Sequence, residues 1–191
     1  MSLTNLLQAA TGIVGRGAFF QWCLNVSNSL SGSGSGAVYP QYAYAKSSAA
    51  QAGVTADTTL ELETDGLTNG ISRDPGTGDS WVLTAGKVYA LSFGGFFDTF
   101  SDATGGQLSI TWVDDNNVAL VSGSAQCPAM IFSPGTNTTA RCTASSLTFV
   151  YQPPAVDIQR VVKIRCTAAT GTANKPNSSW WASIIEIPVA A

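Results

Sequence analysis

The sequence contains no histidine at all, and this absence removes a large part of enzyme chemistry. Histidine is the usual general base beside a serine or cysteine nucleophile, and it is the commonest metal ligand among side chains. The chain also lacks a GxSxG nucleophile motif and a GxxxxGK phosphate-binding loop. We therefore expect no enzymatic activity, no catalytic residue and no cofactor.

Charged residues are scarce too, at 11% of the chain, and the formal net charge is -3. Nucleic-acid binding relies on a basic surface that neutralises phosphates, so we expect no nucleic-acid partner. No hydrophobic run approaches the length of a membrane span, and the first residues lack the basic start of a secretory signal. We expect no membrane partner and no export.

Closely spaced cysteines are also missing. The four cysteines (Cys23, Cys127, Cys142 and Cys166) have none of the CxxC spacing that zinc sites use. Cys166 falls in a predicted strand, where a small buried thiol is the simplest interpretation. Cys127 and Cys142 flank a loop and could pair in an oxidising compartment, although free thiols are favoured without a targeting segment.

Two groups of acidic and amide side chains are candidates for catalysis or for metal binding. Glu61 and Glu63 point the same way along a predicted strand, as paired catalytic carboxylates would, but a solvated strand face explains them better. The run 114–117 (DDNN) offers oxygen ligands for calcium, yet a hairpin turn already explains it. We predict no metal site.

Short runs of alternating or apolar residues separated by turn residues dominate the rest of the chain. These runs predict strands over 18–26, 38–45, 58–63, 87–93, 107–113, 118–121, 147–151, 160–167 and 180–187. About nine or ten strands with no helix between them indicate an all-β fold, an antiparallel jelly-roll β-sandwich.

The beginning of the chain has a different character. Residues 1–17 predict a short N-terminal arm, and residues 18–191 predict the jelly-roll domain. An isolated helix this short is marginal in water, so we expect the arm to lie on a partner's surface. Its anchoring side chains are Leu3, Leu6, Leu7, Ile13 and Val14. Whether the later SGSGSG stretch (31–36) is ordered stays open.

Two of the predicted strands are apolar or small on both faces. An antiparallel strand with one face in water should alternate between apolar and polar residues. In 87–93, Tyr89, Leu91 and Phe93 share one face, but the opposite face is hardly polar. The run 180–187 has the same two-sided character. We infer that a neighbouring subunit covers one face of each strand.

The order of these patterns resembles the tumour necrosis factor/C1q-like jelly-roll family. The central part of the resemblance is 69–72 (NGIS), followed by 81–83 (WVL) and 85–91 (AGKVYAL). The segment 160–166 resembles the family's penultimate strand, and 181–187 (WASIIEI) resembles its final strand. These motifs are patterns of residue type, so they speak for the fold more than for the function.

The resemblance implies a homotrimer that packs around a three-fold axis through the last strand and the central aromatic strand. The subunit-interface residues expected on this basis are Tyr89, Leu91, Phe93, Trp181, Ile185 and Ile187. The chain departs from the family at its N-terminus, where no collagen repeat, coiled-coil stalk or membrane anchor precedes the domain. A signalling ligand is therefore not expected.

A short arm on a compact trimer is similar to the head decoration proteins of tailed phages. We therefore expect a virion structural protein, a trimeric capsid decoration or cement protein, assembled in the host cytoplasm and bound to a partner such as a major capsid protein. The alternative is a receptor- or glycan-binding C1q-like module, at a tail-fibre tip or as a lectin. For that alternative, Tyr39, Tyr42 and Tyr44 could stack on sugars.

Overall fold

The computed structural model describes residues 40–74, 79–100, 106–133, 145–155 and 159–188, and all of its regular structure is strand. The strands are β1 (Tyr42–Lys46), β2 (Gln51–Val54), β3 (Thr64–Asn69), β4 (Ser72–Arg73), β5 (Ser80–Thr84), β6 (Val88–Gly95), β7 (Thr99–Phe100), β8 (Gln107–Asp114), β9 (Val121–Ser122), β10 (Ala125–Gln126), β11 (Met130–Phe132), β12 (Ser145–Tyr151), β13 (Gln159–Thr170), β14 (Ala173–Lys175) and β15 (Trp181–Ile187). Within these ranges, no helix has the length and hydropathy needed to span a membrane.

Ten of the strands form two five-stranded sheets. The first sheet has the order β12-β6-β15-β1-β3, and the second has the order β11-β8-β13-β5-β4. All of their described pairings are antiparallel. The longer strands from β5 to β15 pass repeatedly from one sheet to the other, which is the winding of a jelly roll. The expected all-β, antiparallel jelly-roll sandwich is confirmed, although the described residues contain fifteen strands where nine or ten were predicted.

The core lies between these two sheets and is built from aromatic side chains. Trp81 and Trp112 meet edge to face with ring centroids 5.7 Å apart, and Phe93 packs on Trp112 at 6.0 Å. Trp180 joins this cluster through Phe97 at 5.1 Å, and its indole N–H donates to the Phe96 carbonyl at 2.8 Å. Such pairs stabilise a core beyond the area they bury because ring edges and faces carry opposite partial charge.

Several predicted strands keep their alternation but change in extent. The run 58–63 makes only one isolated bridge, from Thr59 to Arg165, although Leu60 and Leu62 are buried as expected. Its backbone follows β13, because the Leu60 amide donates to the Ile164 carbonyl at 2.9 Å. The predicted strand 18–26, the arm 1–17 with its boundary at residue 18, and the SGSGSG stretch lie outside the described residues.

Candidate functional site

Three of the expected interface residues point into the sandwich and not towards a neighbour. Tyr89, Leu91 and Phe93 are each 0% exposed in the single chain. Phe93 contacts both Trp112 and Trp180, which belong to the core. The expectation that these side chains form a subunit contact is therefore wrong. Alternation along β6 placed them correctly on one face, but that face is the interior.

The other three expected residues lie on the outer face of the first sheet. Strand β15 pairs with β6 in the register Ile185↔Ala90 and Ile187↔Val88. Directly opposed residues of neighbouring strands project from the same face of a sheet. Trp181 also projects outwards, because its neighbours Trp180 and Ala182 are buried. Their contact with another subunit stays a prediction.

The outer face carries a contiguous apolar area. On β12, Val150 pairs with Ala90 and is 52% exposed, and on β15 Ile187 is 38% exposed. We call this area the apolar outer patch, and it consists of Val88, Ala90, Val150, Ile185 and Ile187. The apolar outer patch arises because the side chains on both faces of β6 and β15 are apolar or small.

A row of hydroxyl side chains crosses the same face next to the apolar outer patch. Ser92 pairs with Ser183 on β15 and Thr148 on β12, and the Ser92 and Thr148 hydroxyl oxygens are 2.9 Å apart. Tyr44 on β1 pairs with Ser183 and continues the row. One half of the outer face is therefore apolar, and the adjoining half can form hydrogen bonds.

A polar network closes the end of the sandwich beneath the apolar outer patch. The Tyr89 hydroxyl donates to the Gln41 side-chain oxygen at 2.8 Å and accepts from the Thr84 amide at 3.1 Å. Burial raises the pKa of the Tyr89 phenol, because it disfavours the phenolate. Glu186 pairs with Lys87 at 3.0 Å and accepts from the Gln41 amide at 2.8 Å. These groups satisfy one another and position β1 and β15.

The acidic turn predicted at 114–117 is a hairpin turn, as expected. One carboxylate oxygen of Asp114 accepts the Val118 amide at 2.8 Å, and the other lies 2.5 Å from the Arg160 guanidinium. Asn117 has a φ of 64°, which asparagine tolerates better than most residues. Within the described part of the chain, no group of three or more acidic or cysteine side chains is arranged to hold a metal ion.

The Glu63 carboxylate is held by other groups of the protein. Glu61 and Glu63 both lie at the surface, but the Glu63 carboxylate accepts the Ser48 amide at 2.6 Å and lies 3.4 Å from the amine of Lys175. Lys175 is fully buried, and the sequence contained no sign of this. A single lysine in a polar stretch is usually solvated, so only the fold could bring its amine to Glu63.

Cys127 and Cys166 are buried free thiols. Burial raises the pKa of each thiol, because it disfavours the thiolate. The Cys166 thiol also donates to the Ala168 carbonyl at 3.3 Å. The expected buried thiol at Cys166 is confirmed. Cys23 and Cys142 lie outside the described residues.

Comparison with known proteins gives similarity at the level of structure alone. No protein-family model matches the chain, and no curated protein matches it. The structure of Eiger TNF from S. frugiperda is similar, with a TM-score of 0.49 and 10% identity, covering 80% of this chain and 96% of that one. The globular domain of zebrafish complement 1qA protein gives 0.47 and 7%, covering 78% and 98%. Murine APRIL gives 0.43 and 9%, covering 78% and 99%.

Proposed function

We propose that this chain is a self-assembling jelly-roll module that forms a homotrimer through the outer face of its first sheet. The observation that carries the proposal is the apolar outer patch on strands whose opposite face already fills the core. Contiguous apolar areas on a protein surface generally mark contacts with other molecules. A second copy of the chain is the natural occupant, because the chain carries little charge that would oppose association with its own kind.

A closed three-fold ring needs two different patches on each subunit. Its contacts are head-to-tail, so the patch on one subunit meets a different patch on the next. The second patch in this proposal is the edge patch, which we define as Val121 on β9 and Ile131 on β11. These side chains are 49% and 50% exposed, and both strands contact β12 at the edge of the first sheet.

The role that fits such a trimer best is decoration of a virion surface. In this proposal the trimer is a non-catalytic capsid component, and the arm over residues 1–17 anchors it to a major capsid protein. Support comes from the apolar side chains of the arm. Three arms on one trimer would act together, so weak individual contacts suffice for attachment.

Glycan binding is the second candidate, and one observation favours it. Tyr42 and Tyr44 project from β1 on the outer face, beside the hydroxyl row that includes Ser183. Aromatic rings next to hydroxyl groups suit sugars, which present both apolar and polar surface. This surface adjoins the apolar outer patch, so a trimer that buries the whole face would exclude the sugar.

The trimer is tested by placing a charge in the centre of the apolar outer patch. Static light scattering of the wild type should give three times the 19.8 kDa chain mass. Ile185→Lys should give a single chain mass with an unchanged circular dichroism spectrum, because a buried unpaired charge opposes association. Thr167→Lys, at an exposed position of β13, is the matched control and should remain trimeric. A wild-type monomer at micromolar concentration would overturn the proposal.

Two further variants distinguish capsid decoration from glycan binding. Deleting residues 2–14 should leave a folded trimer that no longer cosediments with the capsid. Under the glycan alternative, Tyr44→Ala should abolish binding on a glycan array while the deletion leaves binding intact. Unchanged capsid binding by the deletion variant would show that the arm is not the anchor.

A further inference from the structure

The buried lysine, Lys175, links three separate segments, which are its own strand β14, residue 49 and residues 61–63. Its side chain is 0% exposed on β14. The amine donates to the Ala49 carbonyl at 3.0 Å and to the Glu61 carbonyl at 2.9 Å, and it lies 3.4 Å from one carboxylate oxygen of Glu63. A buried cation is tolerated only with such partners, because leaving water removes its hydration.

The second carboxylate oxygen of Glu63 holds the chain that follows β1. It accepts the Ser48 amide at 2.6 Å and the Ala49 amide at 3.3 Å, and the Ser48 hydroxyl lies 3.4 Å away. Ala49 is therefore held on both sides, through its carbonyl by Lys175 and through its amide by Glu63. Glu63 and Lys175 together form a clasp on residues 48–49.

The clasp lies next to the beginning of β15. Ser47 precedes the clasped residues, and its amide donates to the Trp180 carbonyl at 2.9 Å. The Trp180 amide in turn donates to the Ser47 hydroxyl at 3.1 Å. Residues 47–49 are thus the link between the clasp and the first residues of a strand that carries the outer face.

We propose that Glu63 and Lys175 form an acid-sensitive clasp that holds residues 47–49 against β14 and the start of β15, and that protonation of Glu63 releases them. A protonated carboxyl group no longer neutralises the buried lysine, and it is a much weaker acceptor for the Ser48 and Ala49 amides. Release is local, because the clasped residues lie outside the two main sheets.

The direction of the pH effect follows from the charges that face Glu63. Partial burial raises its pKa, but the Ser48 and Ala49 amides and the Lys175 charge outweigh this, so its pKa lies below the usual 4.5. A carboxyl group with a lowered pKa stabilises the folded form fully above its unfolded pKa, and this contribution disappears as the pH falls through the folded value. The clasp is therefore closed at neutral pH and opens below about pH 4.5.

One other carboxyl group near the clasp, that of Asp79, also has a shifted pKa. Burial raises the pKa of Asp79 above its usual 3.8, and the negative charges of Glu61 and Glu63 add to this, while Arg73 and Lys175 oppose it. Protonation of Asp79 removes a negative charge that acts on Glu63, so it favours the ionised form of Glu63 and does not itself open the clasp.

The test is hydrogen exchange measured by mass spectrometry on the full chain between pH 7 and pH 3, corrected for intrinsic exchange rates. Exchange of the Ser48 and Ala49 amides reports directly on the clasp, because the Glu63 carboxylate is their hydrogen-bond acceptor. In the wild type their protection should fall below pH 4.5 by at most about tenfold per pH unit, the limit for one carboxyl group. Peptides from β13 should keep their protection over the same range.

Glu63→Gln is the decisive variant, because glutamine keeps the shape and cannot titrate. It should show reduced protection of 48–49 already at pH 7 and no further loss on acidification. Glu61→Gln is the matched control, because the Glu61 side chain makes no hydrogen bond to 48–49 among the described contacts, and it should behave like the wild type. An acid step retained in Glu63→Gln, or simultaneous loss at 48–49 and β13, overturns the proposal.

Discussion

At the scale of single residues, the contact between Gly95 and Trp180 limits what the core can accept. A Cβ atom at Gly95 would overlap the indole ring of Trp180, which is itself 1% exposed. The ring is fixed on several sides, by Phe97, by Phe132 and by its hydrogen bond to the Phe96 carbonyl. Glycine is therefore required here by close packing, and not by a special backbone angle.

We predict that Gly95→Ala lowers the free energy of unfolding by about 1–3 kcal/mol, the usual range for one extra group in a packed core. Urea unfolding followed by tryptophan fluorescence measures this. Ser92→Ala, on the outward face of the same strand, should change the value by less than about 0.5 kcal/mol. An unchanged midpoint for Gly95→Ala would mean that Trp180 has room to move.

At the scale of the secondary-structure elements, the sequence predicted which residues share a face of a strand better than it predicted which face points into the core. Alternation along β6 and β15 correctly grouped Tyr89 with Leu91, and Trp181 with Ile185. It could not tell which group faces the core, because both faces of each strand are apolar or small. Only the register between the strands decides this, and register depends on long-range pairing such as Ile184↔Leu91.

The same limit explains which site residues the sequence missed. The hairpin at 114–117 was predictable, because its turn signal is local. Lys175 was not, because its partners Ala49, Glu61 and Glu63 are more than a hundred positions away along the chain. A buried polar contact of this kind has no periodicity, so no local pattern reveals it.

The hairpin after β8 supplies a prediction at this scale. Asp114→Ala removes the acceptor for the Val118 amide and the carboxylate beside Arg160. Hydrogen bonds to charged groups contribute about 1.5–3 kcal/mol each, so we expect a loss of about 2 kcal/mol or more in the free energy of unfolding.

Thermal unfolding monitored by circular dichroism measures the effect of Asp114→Ala. The matched control is Asp115→Ala, one position further into the same turn, where the side chain is exposed. Its stability should stay within about 0.5 kcal/mol of the wild type. Equal losses for the two variants would show that the turn does not depend on the buried carboxylate.

At the scale of the whole molecule, the proposed ring makes a prediction that a two-fold dimer does not. Each interface in a ring joins the apolar outer patch of one subunit to the edge patch of the next, so damage to either patch prevents closure. Ile185→Lys and Val121→Lys should each be monomeric alone. In a two-fold assembly built on the apolar outer patch, Val121→Lys would associate normally, because its own copy of that patch is intact.

Mixing these two variants provides the final test of the ring. The intact outer patch of Val121→Lys and the intact edge patch of Ile185→Lys can form one good interface, but the next position always meets a damaged patch. An equimolar mixture should therefore give a species of twice the 19.8 kDa chain mass and none of three times that mass. Sedimentation velocity separates these species. Such a pair has one interface where the trimer has three. It should therefore dissociate at a far higher protein concentration than the wild-type ring does. A trimer formed by either variant alone would exclude head-to-tail packing through these two patches.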